Sequence, residues 1–167
     1  FVPEDRSGHS AVPELTLAEN VLLCQFSNNK FTKNGIIKST NISKYADEII
    51  LNFNVMTEGA SSKASSLSGG NLQKFVIGRE ILSKPELLII SHPTWGIDAG
   101  ATQYIRNELI KLSNQGTSII IISQDLDELI QLSNRIAVIY NGELSHSLDT
   151  NTLDIKKIGL LMGGQSE

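Results

Sequence analysis

From Pro85 onward, short unbroken apolar runs alternate with stretches of helical periodicity, the pattern of a parallel sheet covered by helices on its faces. Residues 87–90 and 118–122 predict two buried strands. Between them Asp98 can cap a helix in which Ala101, Tyr104, Ile105, Leu109 and Leu112 recur at three- and four-residue spacing, with Gly116 beyond its end. After the second strand, Asp125 and Glu128 have the spacing of a capping pair. Leu126, Leu129, Ile130 and Leu132 follow on a short helix. A third strand is expected over 136–140, with an Asn141-Gly142 hairpin turn into 143–147, then a last helix over 153–161 and a frayed tail over 163–167.

The first 66 residues are less regular. Ile42, Tyr45, Ala46, Ile49 and Phe53 predict an amphipathic helix, residues 16–23 a weaker one, and the Ser-, Gly- and Ala-rich stretch 57–66 a loop. That loop leads into Ser68-Gly69-Gly70, which opens a helical segment over 71–82 ending before Pro85. Each glycine in a first turn costs up to about 1 kcal/mol relative to alanine, so two of them imply close approach of backbone N–H groups to something. A helix N-terminus with open N–H groups and a serine hydroxyl suits a phosphate, although a plain N-cap with a flexible entry would read the same in isolation.

Composition narrows the class. The chain has 167 residues, 40% of them hydrophobic, and a formal charge of −4 with Lys and Arg scattered, so it lacks the basic stripe that nucleic acid would require. No apolar run approaches the roughly 20 residues needed to cross a bilayer. A single cysteine, Cys24, permits no internal disulfide and suits a reducing compartment, the cytoplasm. The start at Phe1, without a Met or the features of a signal peptide, reads as a fragment.

The stretch Leu67-Ser68-Gly69-Gly70-Asn71-Leu72-Gln73-Lys74 resembles the signature motif of ABC transporter ATP-binding proteins, as written in importers of sugars and nucleosides. Other stretches resemble the same family in order. Residues 1–6 look like its Q-loop, with Glu4 at the usual glutamine, and residues 16–20 like the entry to its helical subdomain. Residues 85–91 resemble the Walker B strand, 93–98 the D-loop, 123–128 the switch region and 133–138 the following strand. The branch is the simple-sugar, nucleoside and basic-membrane-lipoprotein type, and the match is to the second of two fused ATP-binding halves. The resemblance implies an α/β fold: an incomplete P-loop NTPase domain with a mostly parallel sheet, flanking helices and a helical subdomain. It also implies a division into a Q-loop region over 1–13, the helical subdomain over 14–66, the signature helix and distal core over 67–162, and the tail.

The same resemblance sets out what is missing. Phosphoryl transfer in this class needs a Gly-rich loop with lysine, an acidic residue for Mg2+ and a group to position water. The chain has no Gly-Lys pair, so the Walker A motif is absent and expected upstream of Phe1. Ser91 occupies the position of the magnesium-linked aspartate, His92 that of the catalytic glutamate, and Gln124 that of the switch histidine. No residue is assigned to a metal. Ser68, Gly69, Gly70 and Asn71 would instead contact ATP held by a second nucleotide-binding domain, with Glu4 at the Q-loop position and Asp98 in the D-loop. Asp98 crossing to the partner and Asp98 capping a helix are compatible readings, and Trp95 reads equally as an interface anchor or a packing residue. His92 has the chemistry of a base, but a structural role is the simpler reading. His9 and His146 have no partner at ligand spacing.

The expected function is therefore part of the energy-coupling subunit of an importer. ATP and Mg2+ would be used by the full assembly and not bound by this chain alone. Residues 14–66 would meet a membrane permease, and through it indirectly a solute-binding lipoprotein, at the inner face of the cell membrane. A noncatalytic regulatory module and a soluble ABC protein outside transport are the alternatives.

Overall fold

A computed structural model describes the chain except residues 6–7, 27–29, 34, 165–167 and the side chain of Lys33. It divides into two compact units, Phe1–Ile122 and Ser123–Glu167.

In the first unit the apolar runs at 87–91 and 118–122 pair with each other as expected, but the second is not the buried strand read from its sequence. None of its residues is buried, and Ile120 and Ile122 are about half exposed, because among the described residues it is covered by a single neighbouring strand. Strands β3 (Leu87–Ser91) and β4 (Ser118–Ile122) are parallel and in register from Leu87 opposite Ser118 to Ser91 opposite Ile122. Parallel strands need a crossover, and α4 (Ala99–Asn114) supplies it, burying Ile105, Leu109 and Leu112. Val2 extends the sheet on the other side of β3, donating its N–H to the Ile89 carbonyl at 2.8 Å and accepting that of Ser91 at 2.9 Å. The parallel sheet is thus present but small, two strands and a bridge.

Helices α1 (Leu17–Gln25), α2 (Ser39–Asn52) and α3 (Gly69–Leu82) pack in succession. The weak periodicity of α1 is offset by a full capping box: the Thr16 hydroxyl accepts the Glu19 N–H, and the Glu19 carboxylate accepts the Thr16 N–H at 2.8 Å. This carries α1 to Gln25, past the 16–23 read from its pattern. A short hairpin, β1 (Thr32–Lys33) with β2 (Ile36–Ile37), joins α1 to α2 and was not foreseen in the sequence. Helix α2 buries Ile42, Ala46 and Ile49, the stripe expected of it. The loop before α3 contains one 3-10 turn, Ala64–Ser66.

Helix α3 is buried on every side, from Leu72 through Arg79 without a break. Two features allow this. Gly78 meets Phe53 so closely that an added Cβ would lie 2.5 Å from the ring. Arg79 spends its charge inside the unit, with Nε on the Glu80 carboxylate at 2.7 Å, Nη2 on the Ser10 carbonyl at 3.0 Å and Nη1 on the Asn20 carbonyl at 3.4 Å. Asn20 is itself buried. Its amide accepts the Val12 N–H at 2.7 Å and donates to the carbonyls of Val12, Leu15 and Thr16. Residues 10–20 are therefore folded around one arginine and one asparagine.

In the second unit, Asp125 caps α5 (Leu126–Leu132) through the Glu128 N–H at 3.1 Å, as its spacing predicts. The continuous strand expected over 136–140 is instead broken. Strand β5 (Arg135–Ile136) pairs with β8 (Leu148–Asp149), while β6 (Ile139–Tyr140) pairs with β7 (Glu143–Leu144) across the Asn141-Gly142 turn. The break lies at Val138, whose N–H turns to the Ser145 hydroxyl at 2.9 Å in place of a partner backbone. Helix α6 (Ile155–Met162) starts after Asp154, which caps it on Lys156 N–H. Of the expected tail, residues 165–167 lie outside the described part. Among the described residues no helix is long and apolar enough to cross a membrane.

Two stability outcomes follow from the first unit. Replacing a helical glycine by alanine normally gains about 1 kcal/mol. Gly78→Ala should instead destabilise by about 1–2 kcal/mol, because overpacking against Phe53 outweighs propensity. Urea titration should show the loss, and Phe53→Leu in the same chain should recover part of it. Asn20→Leu, of similar volume, leaves the Val12 N–H without its partner, while the carbonyls of Val12, Leu15 and Thr16 keep their backbone donors, and should cost about 2 kcal/mol by the same measurement.

Candidate functional site

Three segments of the first unit converge: the turn after β3, the N-terminus of α3, and the first residues of the chain. Val2 lies beside Ile90, which carries Glu4 past the end of β3. There the chain reverses at His92, a non-glycine residue at a φ of 47° in the left-handed region, held by its N–H to the Ile122 carbonyl at 2.8 Å. The His92 ring is buried and stands edge-on to Trp95 at 5.4 Å. Its Nε2 is 3.9 Å from the Glu4 carboxylate, too long for a hydrogen bond. An open cavity of about 600 Å³ lies here, lined by Glu4, Pro13, Leu67, Gly69, His92 and Trp95.

Ser68 is the N-cap of α3, in extended backbone conformation. Its hydroxyl oxygen accepts from Asn71 Nδ2 at 3.0 Å and from the Asn71 N–H at a long 3.4 Å. Both contacts use oxygen lone pairs, so the hydroxyl proton can still be donated outward. Ser68 and Gly69 are exposed. Asn71 has a second task within the chain: its Oδ1 accepts the Met56 N–H at 2.9 Å, tying the signature to the segment after α2. Gly70 explains one of the paired glycines, because a Cβ there would lie 3.0 Å from the Gly96 carbonyl oxygen. This close approach lies within the chain, on the Cα side of Gly70 against residues 96–97, and is distinct from the approach of N–H groups to a ligand expected from the sequence.

Helix α3 grips that loop at further points. Gln73, only 1% exposed, donates its amide to the carbonyls of His92 at 3.4 Å and Pro93 at 3.3 Å, and its Oε1 has no partner. Lys74 Nζ meets Asp98 Oδ2 at 2.9 Å, while Asp98 Oδ1 caps α4 on the Ala101 N–H at 2.8 Å. The Lys74 hydrogen bond, followed by that from Ala101, holds the Asp98 carboxyl below its usual value of 3.8. The folded state thus favours ionised Asp98. That contribution is complete above the usual value and fades as pH falls through the lowered one.

The sequence-derived candidates therefore separate. Ser68, Gly69, Gly70, Asn71, Ser91, His92, Glu4 and Asp98 all lie in the first unit, whereas Gln124 is an exposed residue of the second, just ahead of α5. Trp95 is 59% exposed. His9, given no role from spacing, pairs with Asp5 at 2.7 Å on the surface. Gln73 and Lys74 belong to the stretch that carries the signature resemblance, but neither they nor Arg79 are given a role from sequence. Their one signal is that they are three polar residues on a helix whose remaining positions from Leu72 to Arg79 are apolar or glycine.

The donor set after β3 does not suit Mg2+, a hard cation that binds through carboxylate oxygens. Ser91 offers a neutral hydroxyl and His92 an imidazole, leaving Glu4 as the acid. Among the described residues no group of three or more His, Cys, Asp and Glu could hold a metal.

No family model matches the chain. It is 41% identical over 163 residues to the nucleoside import ATP-binding protein NupA of Lactococcus lactis subsp. cremoris, an alignment covering 98% of this chain and 32% of that protein. It is 35% identical over 166 residues to the glucose import ATP-binding protein TsgD13 of Haloferax volcanii, covering 98% of this chain and 30% of the relative. The chain thus spans about a third of the length of the curated relatives it matches. Among solved structures it superposes on the ATP-binding cassette MJ0796, in a dimeric post-hydrolysis state bound to ADP and Pi. The TM-score is 0.73 and the identity 24%, covering 90% of this chain and 62% of that one, which fixes the fold. Over the residues it contains, the chain is a relative of the sugar- and nucleoside-import ATP-binding proteins, built on the ABC ATPase fold.

Proposed function

We propose that this chain works within the ATP-binding, energy-coupling subunit of an importer for sugars or nucleosides, as the half that lends its signature to a facing nucleotide domain. Ser68, Gly69, Gly70 and Asn71 would meet ATP held with Mg2+ by that domain. Its own positions after β3 would carry out no phosphoryl chemistry. Residues 14–66 would meet the permease at the inner face of the membrane, and the solute-binding lipoprotein would be reached only through it.

The observation that carries this reading is the contrast between the two ends of the site. At one end, α3 presents an exposed, serine-capped N-terminus with a hydroxyl proton left to donate, which suits the charge on a terminal phosphate. At the other, Ser91 and His92 stand where the resemblance places two carboxylates, and His92, at the edge of the cavity, is largely buried in a turn at positive φ. Likeness to import ATP-binding proteins over nearly the whole chain supports the rest.

ATP turnover by the complete subunit tests the proposal. Ser68→Arg should lower turnover by roughly a hundredfold, the scale on which removing one such donor acts. Unchanged turnover would refute the role. This chain alone should show no ATP hydrolysis and no Mg2+-dependent ATP binding by calorimetry, and tight binding would contradict the degenerate site.

A further inference from the structure

Two side chains of α3, Gln73 and Lys74, join the signature stretch to the loop of residues 93–98, and one of them is charged. We propose that Lys74 is a positioning residue for the signature: by holding Asp98 it latches residues 93–98 to the first turn of α3, so that loop and signature move as one piece. The inference rests on the reading that this signature serves a facing ATP site.

The geometry of the pair is unequal. The Lys74 side chain is 10% exposed and that of Asp98 63%, so the cation lies inside and its counter-ion at the surface. A buried ammonium is tolerated only when paired, which makes Asp98 the reason Lys74 can occupy its place. Asp98 in turn has both oxygens committed, one to Lys74 and one to the Ala101 N–H at the start of α4. Turning its carboxylate away from Lys74 would also uncap that helix. Asp98 therefore has little freedom to leave its own chain and reach a partner.

The remaining contacts make the latch act on the signature itself. Gly70 lies close against the Gly96 carbonyl, where a Cβ would stand only 3.0 Å from the oxygen, so a displaced loop bears directly on the first turn of α3. Gln73 adds two tethers to His92 and Pro93, but they are neutral and 3.3–3.4 Å long. The charged contact at 2.9 Å is the stronger one.

The test uses ATP turnover of the complete subunit against ATP concentration. Lys74→Met should lower kcat/KM roughly tenfold through misplacement of Ser68, and Asp98→Asn should do the same. The double variant should lose no more than either single one, and Lys74→Arg should restore most of the activity. In a Ser68→Ala background Lys74→Met should have no further effect, since it acts through Ser68. A merely structural lysine would lower the melting temperature and give losses independent of Ser68. Such additive losses, or a Lys74→Met variant at full turnover while Ser68→Arg is inactive, would overturn the latch alone. Full turnover in Ser68→Arg would overturn the latch together with the reading beneath it.

Discussion

The architecture of the first unit depends on burying α3 completely although it carries a glutamine, a lysine and an arginine in its interior stretch. Burial of these groups without partners would cost several kcal/mol each, so their partners are obligatory and dictate what surrounds the helix. Arg79 requires the carbonyls of Ser10 and Asn20, which fixes the path of the chain before α1. Gln73 requires the carbonyls of His92 and Pro93, and Lys74 requires Asp98, which fixes the turn after β3. The apolar residues supply most of the burial energy. The polar ones decide which neighbours are acceptable.

This explains which parts of the fold could be read from sequence. Strands β3 and β4 are unbroken apolar runs, α2 has a clear stripe and α4 both a stripe and its Asp98 cap, so local pattern and element type agree, although β4 is less buried than its composition suggests. Helix α1 carries too little periodicity to be delimited, and its extent comes from the Thr16–Glu19 capping box, which was present in the sequence and not used. The hairpin of β1 and β2 has two-residue strands, below the length at which alternation is informative. In the second unit the apolar run at 136–140 reads as one strand, and its division depends on the Ser145 hydroxyl reaching the Val138 N–H, a side-chain contact that no period encodes.

The candidate site was legible for a different reason, since it rested on motif order. Ser68, Gly70 and Asp98 all lie in the first unit, and the structure adds partners that the motifs do not encode. Asn71 bonds to Met56 and Asp98 to Lys74, each within this chain. The substitutions at Ser91 and His92 also take on a clearer meaning. Without carboxylates to aim at a metal, the turn after β3 serves as an anchor, with its backbone carbonyls held by Gln73 and its imidazole packed on Trp95.

The clamp made by Arg79 has one more consequence. Arg79 and Gly69 are ten residues apart on one uninterrupted helix, about 15 Å at the usual rise per residue. A helix packed on all sides behaves as a stiff rod, whereas a loop of that length would absorb displacement in its torsions. Ser10 and Asn20 are bolted to one end of the rod and Ser68 caps the other. A push on the segment around Asn20 is therefore delivered at Ser68 as a translation of the whole helix, with lever arms set by covalent geometry and little compliance between them.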